Sequence, residues 1–357
     1  MGFSNFMKDA IAMAHGAGGE LMDKLIKNSV LKYLECKGSS YDVPLSALDD
    51  AGVVEDIVFT TDSYVVKPLF FPGGNIGSLS VSGTVNDLSV IGAQPIAIST
   101  AFIIEEGFSI QKLEEIVKSI AETAKQAGVA VLTGDTKVME KGSIEDFVIN
   151  TSGIGKRNPL LDRNIEEVRR YREFDSRWLL DSNLRDGDKI IVSGDIGEHG
   201  IALLSHREGY KFGTKIKSDA APLNGLIEKV LETGGVVAAK DPTRGGLANT
   251  LNEFKEKSGV GIIVREKDIP IPEGVISACE MLGIDPLEIG NEGKVVLGVV
   301  KEKADEVLSE IKKHPLGKNA SIIGEVDESF NEVILETTVG GKRILHKPMG
   351  DPIPRIC

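Results

Sequence analysis

The chain has 357 residues, 41% of them hydrophobic and 27% charged, with 40 glycines, a composition that supports a packed, turn-rich globular protein and argues against extended disorder. Its 41 Lys and Arg stand against 54 Asp and Glu, a net charge of -13 that repels polyanions and excludes nucleic acid as a partner. No stretch approaches the roughly 20 apolar residues of a membrane span, and the N-terminus MGFSNFMKDA lacks signal-peptide design, so a cytoplasmic protein without a membrane partner is expected.

The length favours two domains of about 150 residues each. Residues 1–40 form an N-terminal segment with one glycine-rich turn, HGAGGELMDKLI, from His15 to Ile26. In residues 41–156 the runs DIVFTTD, PIAISTAFII, GVAVLTGD and DFVINTSGIG read as strands. SLSVSGTVNDLSVIGA and SIQKLEEIVKSIAETAKQAG between them read as helices, the second amphipathic and closed by Gly128. A polar stretch from Lys156 to Arg185 marks a boundary. In residues 157–345 the rhythm restarts, with strands DKIIVSG, GVVAAKD, GVGIIVRE, KVVLGVV and ASIIGEV and helices APLNGLIEKVLETG, GGLANTLNEFKEKSG and EKADEVLSEIKKH. Both halves therefore predict α/β and α+β layers, one architecture used twice.

From about His346 the pattern stops. Pro348, Gly350, Pro352 and Pro354 forbid a helix in residues 346–357 and predict an extended, polyproline-like arm that ends in MGDPIPRIC. The three cysteines, Cys36, Cys279 and Cys357, have no CxxC spacing, which argues against both a disulfide framework and a zinc site. Cys36 and Cys279 read as small apolar side chains. Cys357 is either the accidental last residue of a disordered end or a thiol that the arm carries somewhere.

Four acidic turns punctuate the first half, at Asp49 and Asp50, Asp62, Asp87 and Asp135. Asp62 and Asp135 follow strands, where open sheets present ligand groups. Each alone could be a turn former or helix cap. Together, with Ser and Thr beside them, they suit a hard cation such as magnesium. Glycine-rich turns at 15–26 and 71–81 precede helices and could offer backbone N–H groups to a phosphate, although neither matches a Walker or dinucleotide pattern. In the second half DPTRGGLANTL places Asp241, Arg244 and Gly245 at a helix start, either to clamp a phosphate or as a structural pair. His199 and the Asn291–Glu292 pair lie in similar glycine-flanked turns.

The set TTDSYVV, FFPGGNIGSLSVSGTVNDLSVIGAQP, TGDTKV, DPTRGGLAN, NEGK and the terminal PRIC resembles the hydrogenase maturation carbamoyl dehydratases, of the aminoimidazole ribonucleotide synthetase and selenophosphate synthetase superfamily. The similarity runs from about His15 to Cys357. It implies a two-domain PurM-like fold with a flexible C-terminal tail, a homodimer formed through the first domain's sheet, and ATP and Mg2+ near that interface. By this resemblance Asp49, Asp62, Asp87 and Asp135 surround the metal and phosphates with Lys137 nearby. Asp50, Gly134, Thr136, Asp241, Arg244, Gly245 and Asn291 complete the nucleotide site, and Glu292 and His199 lie near the reacting group. The loop from Ser143 to Asp146 has no counterpart in the resemblance.

The terminal cysteine of that family receives a carbamoyl group from a partner carbamoyltransferase and is dehydrated with ATP to a thiocyanate, whose cyanide passes to an iron-carrying maturation complex. Cys357 is then the tethered reactant, Glu292 the first choice of base and His199 the second. At the polyproline rise the nine residues from Met349 to Cys357 span about 28 Å, enough to visit two places. A superfamily synthetase or kinase acting on a free small molecule is the alternative, and it leaves the terminal thiol without a role.

Overall fold

The computed structural model describes residues 10–34, 41–210, 216–350, 352–353 and 355–357, so the reading of Cys36 lies outside the described residues. The N-terminal segment forms α1 (Glu20–Leu25), which continues through a π-helical turn (Ile26–Leu31) into α2 (Lys32–Leu34). Glu20 and Asp23 sit in its first turn, where the helix dipole favours negative charge.

A five-stranded sheet follows. Its chain order is β1 (Gly52–Val54), β2 (Ile57–Tyr64), the hairpin β3 (Phe70–Phe71) and β4 (Gly74–Asn75), α3 (Ile76–Val90), β5 (Ala93–Glu105), α4 (Ile110–Ala127), β6 (Ala130–Met139) and β7 (Phe147–Arg157). The strand order is β1-β2-β7-β5-β6, with β5 and β6 parallel across the α4 crossover and the other neighbours antiparallel. Helices α3 and α4 cover one face. Because α3 is buried on nearly every side, it is built from small residues, and its hydroxyls bond back to its own carbonyls, as Ser82 Oγ does to Ser78 O at 2.9 Å. The other face of the sheet exposes Ile57, Phe59 and Ile154.

The stretch read as a polar boundary is packed. Asn158 caps α5 (Pro159–Val168), whose Leu161, Ile165 and Val168 follow helical spacing and are buried, and Trp178, Leu179 and Leu184 are buried after it. The second sheet then runs through β8 (Lys189–Val192), α6 (Glu198–Glu208), α7 (Asn224–Thr233), β9 (Val236–Lys240), α8 (Gly246–Ser258), β10 (Ile262–Arg265), α9 (Glu273–Leu282), β11 (Val296–Val299), α10 (Ala304–Lys313), β12 (Ser321–Val326), β13 (Val333–Glu336) and β14 (Lys342–Ile344). Its strand order is β14-β13-β10-β12-β8-β11-β9. Although β9 is an edge strand, it is wholly buried. Asn164 pairs with both backbone groups of Val236, and Asn183 donates to Val237 O at 2.9 Å, so the open edge is satisfied by side chains. This capping aims the carboxyl end of β9, Lys240 and Asp241, into the groove between the two sheets.

No helix among the described residues is long and apolar enough to cross a membrane.

Candidate active site

The groove is a cleft of about 430 Å³ whose walls come from both halves and from the two chain ends. On β2 the two-residue strand period sets Thr60, Asp62 and Tyr64 on the helix-covered face, towards α3. Thr60 Oγ1 donates to Asp87 Oδ2 on α3 at 2.8 Å, and the Tyr64 hydroxyl donates to Asp62 Oδ2 at 2.9 Å. Gly83 must be glycine here, since a Cβ would stand 2.2 Å from the Tyr64 oxygen. From the second half come Lys240, Asp241, Arg244 and Glu292, and from the tail comes Cys357.

Electrostatically the cleft has two parts. In the first, Lys240 bonds Asp50 at 2.6 Å and lies 3.4 Å from Asp181 and 3.2 Å from Glu253, while Lys257 bonds Asp181 at 2.7 Å and Asp49 at 3.1 Å. Burial and the Asp181 charge still lift the Asp49 carboxyl to about 6. In the second part no carboxylate forms an ion pair with a lysine among the described residues, although Lys240 offsets part of the rise at Asp241. Burial, then Asp62 and Asp241, push Asp87 well above the usual carboxylate range; burial and Asp50 do the same to Asp241, and burial and Asp241 to Glu292. Asp241 Oδ2 and Glu292 Oε1 are buried without a hydrogen-bond partner among the described residues. Asn249 Oδ1, also in the lining, is a third such atom, and because buried polar atoms of native proteins are almost always paired, these orphans mark a place where a ligand belongs.

Glu292 is held from behind. Its backbone N–H donates to Asp219 Oδ1 at 3.1 Å, Lys294 bonds Asp219 Oδ2 at 3.0 Å, and Asn86 of α3 donates to the Glu292 carbonyl at 3.3 Å. Arg244 is kept charged chiefly by Cys357 and, beyond that, by Asp62 and Glu292. The guanidinium expected at a phosphate thus stands at the tail's tip.

The tail is docked, not splayed. Ile353 and Ile356 are fully buried, Val65 N–H donates to Cys357 O at 3.3 Å, and Lys67 N–H donates to Arg355 O at 3.0 Å. His199 reaches the Ile356 carbonyl with Nε2 at 2.7 Å and Ser218 Oγ with Nδ1 at 2.7 Å. Because a carbonyl can only accept, Nε2 carries the proton, and because Ser218 Oγ already accepts from Ala220 N–H, its hydroxyl donates to Nδ1. Burial lowers the His199 pKa, which keeps this ring neutral. Both nitrogens are committed, so His199 clamps the tail, and the expectation of a proton acceptor there is corrected.

Other expectations are also corrected by placement. Asp135 and Lys137 pair with each other at 3.2 Å on exposed β6, three strands from Asp62, or about 14 Å at the usual strand spacing, and on the opposite face of the sheet. Gly134 and Thr136 share that distant strand. The set Asp49, Asp62, Asp87 and Asp135 is therefore not gathered within one chain; Asp62, Asp87 and Asp241 are the carboxylates that face one another. Among the described residues no three potential ligands already converge on a metal position. Asn291 spends its amide on Gly197 N–H, Pro242 O and Ile289 O, and Gly245 serves the left-handed turn into α8, so both shape the site from outside it. The glycine turn before α3 offers nothing to a phosphate, because Asn75 Oδ1 already accepts from Gly77 and Ser78 N–H. The other turn does line the cleft through Gly18 and Gly19. Cys279 is buried with its thiol pushed up to about 12, consistent with an apolar role.

Tyr64, Lys240, Lys257, Asp181 and Asp219 went unread in the sequence. Tyr64 was within reach of the strand period two residues beyond Asp62, and Lys240 as the one charge ending an apolar strand. Nothing local marks Asp181 or Asp219, whose partners lie far along the chain.

Residues 48–156 match the family model for the AIR synthase related protein N-terminal domain and residues 185–335 that for its C-terminal domain. A hydrogenase expression/formation protein of Methanocaldococcus jannaschii is 52% identical over 97% of this chain and 99% of its own length. The carbamoyl dehydratase HypE of Rhizobium leguminosarum bv. viciae is 43% identical over 97% of this chain and 95% of its own. Among solved structures, HypE in a HypE–HypF complex is 45% identical with a TM-score of 0.82, covering 91% of this chain and 99% of that one. HypE in complex with ATP is 37% identical with a TM-score of 0.78, covering 98% and 100%. Matching domains at both ends of the cleft, and relatives aligned over nearly the whole length, place the chain in the carbamoyl dehydratase (HypE) family of hydrogenase maturation proteins.

Proposed function

We propose that this chain dehydrates a carbamoyl group carried on its own Cys357 to a thiocyanate at the expense of ATP, supplying cyanide for the iron of a [NiFe]-hydrogenase. The observation that carries the reading is the docking of Cys357 in the cleft that holds Arg244 and the two orphaned carboxylates.

A thiocarbamate oxygen is a poor leaving group and must first be phosphorylated. The oxygen attacks the γ-phosphorus in line, ADP leaves, and one N–H proton departs to give an O-phosphorylated thioimidate. Loss of phosphate and the second N–H proton then leaves S–C≡N. Glu292, raised by burial and by neighbouring carboxylates, is the proton acceptor, and Arg244 stabilises charge on the oxygen while holding the tail tip. The buried phenol of Tyr64, pushed well above its ordinary pKa by burial and Asp62, stays a donor at neutral pH. Asp62, Asp87 and Asp241 fit magnesium, since hard cations take oxygen ligands and Arg244 and Lys240 leave these three facing carboxylates with an excess of negative charge; when bound, the ion would neutralise the triphosphate.

The exposed apolar face of the first sheet supports a homodimer, and Asp135 and Lys137 would reach a nucleotide from a second copy of the chain packed on it. The donor is a HypF-like carbamoyltransferase and the acceptor an iron-carrying maturation complex. Intact mass of the chain after incubation with carbamoyl phosphate, ATP, magnesium and the transferase tests the reading. A carbamoyl adduct that then loses water, mapped to Cys357, is expected, and Cys357→Ala should bind ATP yet form neither species. ATP turnover that ignores Cys357 would instead indicate a free small-molecule substrate.

A further inference from the structure

The loop between β6 and β7, which the family resemblance leaves unaligned, touches the tail directly. Glu145 Oε2 accepts from Arg355 Nη1 at 2.5 Å while Oε1 pairs with Lys67. Arg355 adopts a left-handed φ of 63°, a conformation that a residue with a side chain keeps only when its surroundings impose it. Its surroundings do so from three sides: Lys67 N–H donates to its carbonyl, its Nε donates to Val65 O at 3.1 Å, and Glu145 holds its guanidinium. The loop is itself anchored, since Glu105 accepts from Gly142 N–H at 2.6 Å and from Asp146 N–H at 3.3 Å. Lys67 and Arg355 together hold the Glu145 carboxyl down at about 2.

We infer that Glu145 is a positioning residue, a latch that fixes Arg355 and thereby sets how often the Cys357 end of the tail is docked in its own cleft and how often it is released to a carbamoyl donor. The inference rests on the proposed delivery of Cys357, and its test does not require that chemistry. Glu145 lies outside the tail, so altering it leaves unchanged the terminal sequence that a transferase would read. The pair is half exposed, and contacts of this kind shift an equilibrium by about two- to fivefold.

Hydrogen exchange of the full-length chain without nucleotide reads the latch, because Val65 and Lys67 N–H are tied to tail carbonyls. In Glu145→Gln these two amides should exchange about two- to fivefold faster while the β2 amides of residues 58–63 are unchanged, and Glu145→Asp should restore most of the protection. In an Arg355→Gln background, where only the Lys67 pair remains to be lost, Glu145→Gln should add clearly less than in wild type, which separates a latch from a loop merely loosened. Carbamoylation by the transferase should rise by the same factor while ATP-dependent dehydration of preloaded chain stays constant; a structural defect would lower both. Unchanged exchange at Val65 and Lys67, or an undiminished Glu145→Gln effect in the Arg355→Gln chain, overturns the latch. The exchange data stand whether or not a thiocyanate forms, so the two readings fail separately.

Discussion

His199 cannot gain a proton without a charge appearing in a fully buried ring between Ser218 and the tail. Its folded pKa lies below the usual 6.5, so the unfolded chain binds the proton more readily. The stability His199 contributes is thus present above about pH 6.5 and lost as pH falls through the depressed folded value. Urea midpoints of wild type and His199→Gln should accordingly converge between pH 7.5 and 5.5; a constant gap would contradict neutral burial. Glu292 faces the opposite demand. Glu292→Gln keeps size and a polar tip but accepts no proton, so ATP binding should persist while dehydration of loaded chain falls roughly 100-fold or more, with the carbamoyl form accumulating in the mass spectrum. A near-normal dehydration rate would move the base elsewhere. At this scale the sequence made Asp62, Arg244, Glu292 and Cys357 legible through strand ends, a glycine-flanked helix start and an odd terminus. It did not show that Asp135 stands three strands from Asp62 and on the opposite face, because which face and which strand a carboxylate occupies is decided by sheet order, which no local pattern carries.

Whole elements were easier to read than the way they are covered. The long strands and the helices α4, α7, α8 and α10 follow periodicity because each meets the core in one regular way, whereas α3, buried on nearly every side, shows only as a long run of small and apolar residues. Helix α5 escaped notice since a few apolar residues among many charges looked like a linker, yet three of them are buried and seat Asn164, which with Asn183 closes the edge of β9. Helix α6 was hidden by the glycines around its start, of which Gly200 makes room for Ile289 and Ile353, a Cβ there falling 2.5 Å and 3.2 Å from those side chains. On the outer face of the first sheet, Ile154 pairs in register with Phe59 and both are about half exposed. A charge there should weaken self-association without disturbing the core. If the proposed homodimer forms through this face, Ile154→Glu should sediment as a monomer at concentrations where wild type associates, with unchanged circular dichroism; an unaltered sedimentation coefficient would reject this face as the interface.

For the molecule as a unit, the arrangement predicts division of labour between copies. Cys357, Glu292 and Asp241 belong to one cleft, whereas Lys137 lies on β6 of the first sheet, three strands from the cleft's Asp62. If Lys137 serves the neighbouring copy's nucleotide, equal mixing of inactive Cys357→Ala and Lys137→Ala chains should recover about a quarter of wild-type activity, since half the dimers are mixed and each carries one intact site. No recovery after verified subunit exchange would keep Lys137 out of the reaction.

Burying Ile353 and Ile356 contributes at most about 1.5–3 kcal/mol for each side chain, which favours the docked tail against the entropy of ordering it. A reactant that is also the last residue of its catalyst cannot diffuse away, and no fresh one can take its place. In the proposed reaction nucleotide consumption would therefore be metered, one equivalent per chain, by how fast a recipient strips the sulfur, and an idle recipient would silence the catalyst without any inhibitor.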